Sequence, residues 1–159
     1  MKDKVCVVTG ATSGIGKATA TALARLGATV VLVGRDRGRT EAAAAEIRSG
    51  SASPPRVEIA DLASLEQVRG LAERLAGLER IDVLINNAGL VLSARRITPD
   101  GFEYVFELNH LAPFLLTNLL RPKPVRTTPG CVQLAVTPVP SSLRASSRVN
   151  RMLASLLLA

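Results

Sequence analysis

The 159-residue chain is predicted to fold as an α/β protein, a parallel sheet with helices on both faces. Two observations carry this. Short, mostly apolar runs at residues 5–8, 29–33, 57–60 and 81–85 read as strands buried on both sides, and each is followed by a turn and a segment with helical apolar spacing. Repeated strand and helix units of this kind need right-handed crossovers, which make neighbouring strands parallel and cover both faces of the sheet.

The first strand runs straight into Thr9-Gly10-Ala11-Thr12-Ser13-Gly14-Ile15-Gly16, after which Ile15, Ala18, Ala22, Leu23 and Leu26 recur on one helix face until Gly27 offers a stop. Residues 29–33 are the second strand. Residues 37–47 follow as an alanine-rich helix, and 49–55 are a loop by their Gly, Ser and Pro content. After the third strand, Ser64 with Gln67 three residues later forms a capping box for a helix with apolar positions at Leu65, Val68, Ala72 and Leu75. The fourth strand, 81–85, leads to a turn in which Asp100 is expected to cap a helix from 102 to about 120. That helix contains Pro113, which has no N–H, so the carbonyl of Asn109 four residues earlier loses its helical donor.

Glycines between a buried strand and a helix start have a specific physical use. Without side chains they let backbone N–H groups approach an anion, and the unpaired N–H groups and partial positive charge of the helix terminus face it. The strand and helix context makes this turn a seat for a dinucleotide pyrophosphate. The end of the second strand, Val33-Gly34-Arg35-Asp36, is where such a fold meets the adenosine ribose. An arginine there suits a 2′-phosphate and an acid suits a free hydroxyl, so Arg35 favours NADP(H) over NAD(H). The alternative is a solvated Arg35 paired with Asp36, and Lys17 in the first helical turn is open between a phosphate contact and a surface lysine.

The spacing T-G-x-x-x-G-x-G resembles the short-chain dehydrogenase/reductase family. Further matches follow in order: Asp61-Leu62, Asn86-Asn87-Ala88-Gly89, Thr98-Pro99-Asp100-Gly101-Phe102-Glu103, and Leu108-Asn109-His110-Leu111-Ala112-Pro113-Phe114. Together they resemble its retinol-dehydrogenase-like branch over residues 4 to about 120. The resemblance implies a Rossmann-type sheet, here ending after about the fourth or fifth strand, and hydride transfer between NADP(H) and a carbonyl or alcohol in full-length relatives. It implies cofactor contacts at Gly10, Thr12, Ser13, Gly14, Ile15, Gly16, Arg35, Asp61, Leu62, Asn87, Ala88 and Gly89, with Asn87 also a structural support. Asn109 matches the family position whose backbone carbonyl holds a water linked to the catalytic lysine. His110, the only histidine, is expected to be packed or hydrogen-bonded rather than a base.

The family's reaction also needs a tyrosine made more acidic by a lysine four residues later, because a tyrosine with a pKa near 10 is a poor proton donor or acceptor at neutral pH. The only tyrosine is Tyr104, four residues before Leu108, and the lysines are Lys2, Lys4, Lys17 and Lys123. The Y-x-x-x-K pattern is therefore missing. Ser141, Ser142 and Thr137 stand where the family's serine falls, with none of them assigned.

Composition sets the remaining expectations. A hydrophobic content of 47% supports one compact unit. The net charge of +7 is uneven: residues 1–120 hold 14 Lys and Arg against 13 Asp and Glu, whereas 121–159 hold six basic residues and no acid. The reading is thus a dinucleotide-binding domain over 1–120 and a basic, acid-free tail over 121–159. In the tail, residues 131–136 are a candidate fifth strand, and Val149, Leu153, Leu156 and Leu157 share a helix face. Two origins fit the tail: a truncated or frame-shifted end, or a docking element of a noncatalytic nucleotide-binding protein. Six charges over 39 residues with no aromatic residue argue against nucleic acid. No leader-like start, no apolar run near 20 residues and two irregularly spaced cysteines, Cys6 and Cys131, lead to the expectation of a cytoplasmic protein with no membrane span and no metal site.

Overall fold

The computed structural model describes residues 1–49, 51 and 53–121, so the expectations for Cys131, the fifth strand, the serine candidates and the terminal helix face lie outside the described residues. The elements are β1 (Val5–Thr9), α1 (Gly14–Arg25), β2 (Thr29–Gly34), α2 (Arg37–Arg48), β3 (Arg56–Ile59), α3 (Leu65–Ala76), β4 (Val83–Ile85), a short α4 (Tyr104–Phe106), a π-helical turn (Glu107–Leu111) and α5 (Ala112–Leu120). The four strands form one parallel sheet in the order β3-β2-β1-β4. This is a Rossmann-type α/β arrangement, as the alternating pattern predicted.

Side-chain alternation along the strands divides the core between the two faces. Cys6, Val8, Val30 and Leu32 pack on one side with Ala20 and Ala24 of α1 and Ile47 of α2. Val7, Val31 and Val33 pack on the other with Leu71 and Leu75 of α3 and Leu111 and Leu115 further on. Both faces of β1 and β2 are thereby dry, which is why these strands read as unbroken apolar runs. Cys6 is a buried free thiol, raised above its ordinary range by burial and by the nearby Asp82 carboxylate.

Below the sheet, Asp82 fastens β4 to the start of β1. Its carboxylate accepts hydrogen bonds from the Val5 N–H at 2.8 Å and the Lys4 ammonium at 3.1 Å, and it pairs with Arg80. Burial alone would raise this acid, but the Arg80, Val5 and Lys4 contacts outweigh it and hold the carboxyl at about 2. Because the folded value lies below the ordinary 3.8, the stabilisation is present above that pH and is lost as pH falls through about 2. Asp82→Asn is expected to cost about 2 kcal/mol at neutral pH. It should also flatten the decline in melting temperature on the acid side, which thermal denaturation between about pH 5 and pH 2 would read.

The last helix departs most from the sequence expectation. Instead of one helix from 102, the chain makes a single α-turn, then a π-turn over 107–111, then α5. The N–H of Ala112 bonds to the carbonyl of Glu107, five residues back. Pro113 explains the shift, since it cannot supply the N–H that a regular ladder would send to Asn109, and a π-turn accommodates the gap. The expected cap is also reassigned. Glu103 caps this helix by accepting from the N–H groups of Val105 and Phe106, whereas the Asp100 carboxylate reaches across to the Leu65 N–H at 2.9 Å and caps α3. Ser64 caps α3 from its own chain, as expected, but Gln67 turns its carbonyl to the Asp61 N–H instead of closing the box.

Candidate functional site

A cleft of about 580 Å³ opens at the C-terminal ends of the strands, over the junction where the chain order reverses between β1 and β4. Open parallel sheets leave a crevice at such a switch point, because the connections on either side leave toward opposite faces. All twelve residues that the sequence assigned to a cofactor line this cleft.

Its floor is the turn between β1 and α1. The Gly10 N–H donates to the Val33 carbonyl at 2.9 Å, joining the turn to the end of β2. Thr9 and Asn87 join it to β4: the Thr9 hydroxyl accepts from the N–H groups of Asn87 and Ala88, at 3.0 and 3.1 Å, and the Asn87 amide donates to the carbonyls of Thr9 and Gly10, at 2.9 and 3.3 Å. Asn87 is therefore a structural tie as well as a wall residue of the cleft.

The approach at this turn is too close for side chains. A Cβ on Gly10 would lie 2.8 Å from the Ala88 Cα, and Gly10 has φ +67°. A Cβ on Gly16 would strike the Gly10 carbonyl and the Asn87 amide. The turn ends in α1, a 12-residue helix with no acid in its first turn and no side-chain bond from its cap residue Ser13. Its leading N–H groups, which no intrahelical carbonyl can satisfy, sit at the cleft with Gly14, where an added Cβ would meet nothing within 4 Å. This is open, anion-attracting space of the kind a pyrophosphate fills.

At the β2 end, Arg35 and Arg39 both line the cleft. The Asp36 carboxylate does not pair with Arg35. It accepts from the Arg39 N–H at 2.8 Å and caps α2, which leaves the two guanidinium groups as the charges at this end. Arg39 was missed from sequence, although a cap at Asp36 puts residue 39 in the first helical turn beside Arg35. Lys17 resolves as a surface lysine: its ammonium pairs with Glu46 at 2.6 Å, away from the cleft.

The opposite end is walled by Ala88, Gly89, Leu90 and Leu108. Asn109 is exposed beside this wall, and its side-chain amide bonds both backbone groups of Leu90: Nδ2 donates to the Leu90 carbonyl at 2.8 Å, and Oδ1 accepts from the Leu90 N–H at 3.0 Å. Leu90 and Leu108 carry no polar signature in the sequence, so only the fold reveals them. Tyr104 is half-buried against the core beneath the Arg96 guanidinium, 5.7 Å from its ring centroid, and does not line the cleft. His110 is exposed and stacks on Phe106 with ring centroids 5.3 Å apart, without lining the cleft. Among the described residues there is no metal-binding cluster and no helix long and apolar enough to cross a membrane.

Known proteins share this arrangement. A model of the short chain dehydrogenase family matches residues 4–132, which carries the likeness past residue 120. Mouse retinol dehydrogenase 14 is 48% identical over 132 residues, covering 76% of this chain and 40% of that protein. A short-chain dehydrogenase from Sphingobium yanoikuyae, solved with NADPH, superposes with a TM-score of 0.67 at 36% identity over 76% of this chain and 47% of its own. A metagenomic short-chain oxidoreductase solved with NADP gives a TM-score of 0.67 at 34% identity, over 77% of this chain and 57% of its own. The chain spans about 40% of the length of the curated relatives it matches. With the family match over most of its length and this identity to retinol dehydrogenases, the chain belongs to the short-chain dehydrogenase/reductase family, in its retinol-dehydrogenase-like branch.

Proposed function

We propose that the cleft binds a nicotinamide dinucleotide, with preference for NADP(H), and that this chain alone does not complete the oxidoreductase reaction. The observation that carries the first part is the Gly10–Gly16 turn, where the contacts that exclude a Cβ leave the α1 terminus open to an anion. The pyrophosphate would meet the N–H groups at Ser13 to Gly16, and the adenine would lie along Asp61 and Leu62. The nicotinamide end would reach Ala88, Gly89 and Leu90. When bound, the nicotinamide supplies the hydride acceptor or donor of the family's chemistry. What this chain contributes is the binding, the orientation and a preformed wall.

The preference for NADP(H) rests on Arg35 and Arg39, two guanidinium groups at the ribose end whose neighbouring acid, Asp36, is engaged with the helix backbone. Two relatives of this fold are named as complexes with NADPH or NADP. A charge-assisted contact to phosphate contributes on the order of 1.5–3 kcal/mol, so discrimination of tenfold or more is expected. Calorimetric titration of the wild type and Arg35→Asp with each cofactor tests it. The wild type should prefer NADP(H) by at least about tenfold and the variant should lose that preference. Equal wild-type affinities would refute the assignment.

The second part follows from the chain's own groups. Tyr104 is outside the cleft, and no lysine stands four residues after it. Asn109, whose carbonyl in the resembled family serves a water linked to lysine, has no such partner pair here, and its role reduces to holding Leu90. The unit that carries the site is residues 1–120, with 121–159 as an appended basic segment.

A further inference from the structure

Glu107 is fully buried, and it stands where the last helix changes register. Its N–H donates to the carbonyl of Glu103, four residues back, as in a regular α-helix, whereas its own carbonyl accepts from Ala112, five residues on. Pro113 makes a break in the ladder necessary, but a donor missing at 113 does not say at which residue the helix widens. The Glu107 side chain is anchored at that point. Its Oε2 accepts a hydrogen bond from the hydroxyl of Thr98, which is also buried, and its Oε1 has no partner, so the Thr98 contact is what offsets the cost of burying this carboxyl.

Thr98 is itself held firmly. Its N–H donates to the Phe102 carbonyl at 2.9 Å, its carbonyl accepts from the Gly101 N–H at 3.0 Å, and its hydroxyl oxygen accepts from the Phe102 N–H at 3.3 Å. The loop around it is closed by a bridge between Ile97 and Glu103 and tied to α3 where Asp100 accepts the Leu65 N–H. We propose that the hydrogen bond from Thr98 to Glu107 sets the residue at which the helix widens, which makes Glu107 a positioning residue for the nicotinamide end of the cleft.

Glu107 acts through the two residues that follow it. Leu108 lines the cleft, and the Asn109 amide grips both backbone groups of Leu90, which lines it too. Successive residues of a helix are turned by about 100°, so a widened turn displaced past Leu108 and Asn109 would swing both side chains by about that angle. Leu108 would leave the wall, and Leu90 would lose its clamp. The Gly10–Gly16 turn and Arg35 stand at other parts of the cleft and touch neither Thr98 nor Glu107. This role rests on the reading of the cleft as a nucleotide seat, with the nicotinamide reaching Leu90.

Thr98→Val removes the donor at nearly constant shape, and Glu107→Gln keeps an acceptor for it. The full chain and both variants are titrated by calorimetry with NADPH and with adenosine 2′,5′-bisphosphate, which carries the adenine and the 2′-phosphate but no nicotinamide. Thr98→Val should bind NADPH at least about fivefold more weakly and the bisphosphate within about twofold of wild type, with Glu107→Gln close to wild type for both. Unchanged NADPH affinity in Thr98→Val, or an equal loss for the two ligands, would overturn the assignment. A second reading needs no ligand: hydrogen exchange at the Leu90 N–H, whose acceptor is Asn109 Oδ1, should quicken at least about fivefold in Thr98→Val and not in Glu107→Gln. A wild type that binds neither ligand defeats the nucleotide reading, and Leu90 exchange then decides for Glu107, since equal rates in wild type and Thr98→Val remove its positioning role. If Thr98→Val does not fold, the wild type alone decides: a Thr98 hydroxyl proton in free exchange with water means that no such pin exists.

Discussion

Gly16→Val is expected to abolish nucleotide binding. A Cβ at this position would strike the Gly10 carbonyl and the Asn87 amide, the two groups that hold the β1 turn against β4. The backbone on one side cannot yield without moving Gly10, which has no room of its own to shift, since even a Cβ added there would lie 2.8 Å from the Ala88 Cα. Valine adds two further methyl groups at the helix terminus that would face the phosphates. The expected loss is at least about 100-fold in affinity, beyond the ~1–3 kcal/mol of overpacking strain that should lower the melting temperature. Circular dichroism and calorimetry together read the two effects. A folded variant with wild-type affinity would show that the glycines form only a turn.

The second large effect is an absence of turnover. No carbonyl reductase or alcohol dehydrogenase activity is expected from this chain with any aldehyde, ketone or secondary alcohol, whatever its cofactor affinity. General acid and base assistance is worth about 10²–10⁴ in rate, and a bound cofactor without a proton donor leaves that factor unrealised. Tyr104 is packed against the core under Arg96 and does not line the cleft. NADPH absorbance across a substrate panel is a sufficient readout. Turnover that persists in Tyr104→Phe would mean another group moves the proton. Turnover lost in that variant would mean that Tyr104 reaches the substrate, and either result contradicts the noncatalytic reading.

The fold was legible because its evidence is local and repeated. Strands such as Val5–Thr9 and Thr29–Gly34 are buried on both faces and cannot be other than apolar, while Ser64 and the alanines of α2 mark helices by capping and propensity. The cleft floor was equally plain, since Gly10 and Gly16 are demanded by backbone contacts that no other residue permits. Features that depend on long-range approach were not readable. Asp100 has the right spacing to cap its own helix, and only the packing of that turn against α3 sends its carboxylate to Leu65. Pro113 announced a broken ladder, but the π-turn that absorbs it, and the burial of Glu107 on that turn, follow from how α5 docks on α3. Leu90 lines the cleft and is held by the Asn109 amide, a contact across nineteen positions of sequence.

The central claim is that the cleft over the β1–α1 turn is a working nucleotide seat. Titration of NADPH into the full chain by calorimetry tests it most directly: one saturable site per chain is expected, weakened at least about tenfold in Arg35→Asp and lost in Gly16→Val. A folded wild-type chain that gives no binding heat with either NADPH or NADH at any temperature tried would contradict it.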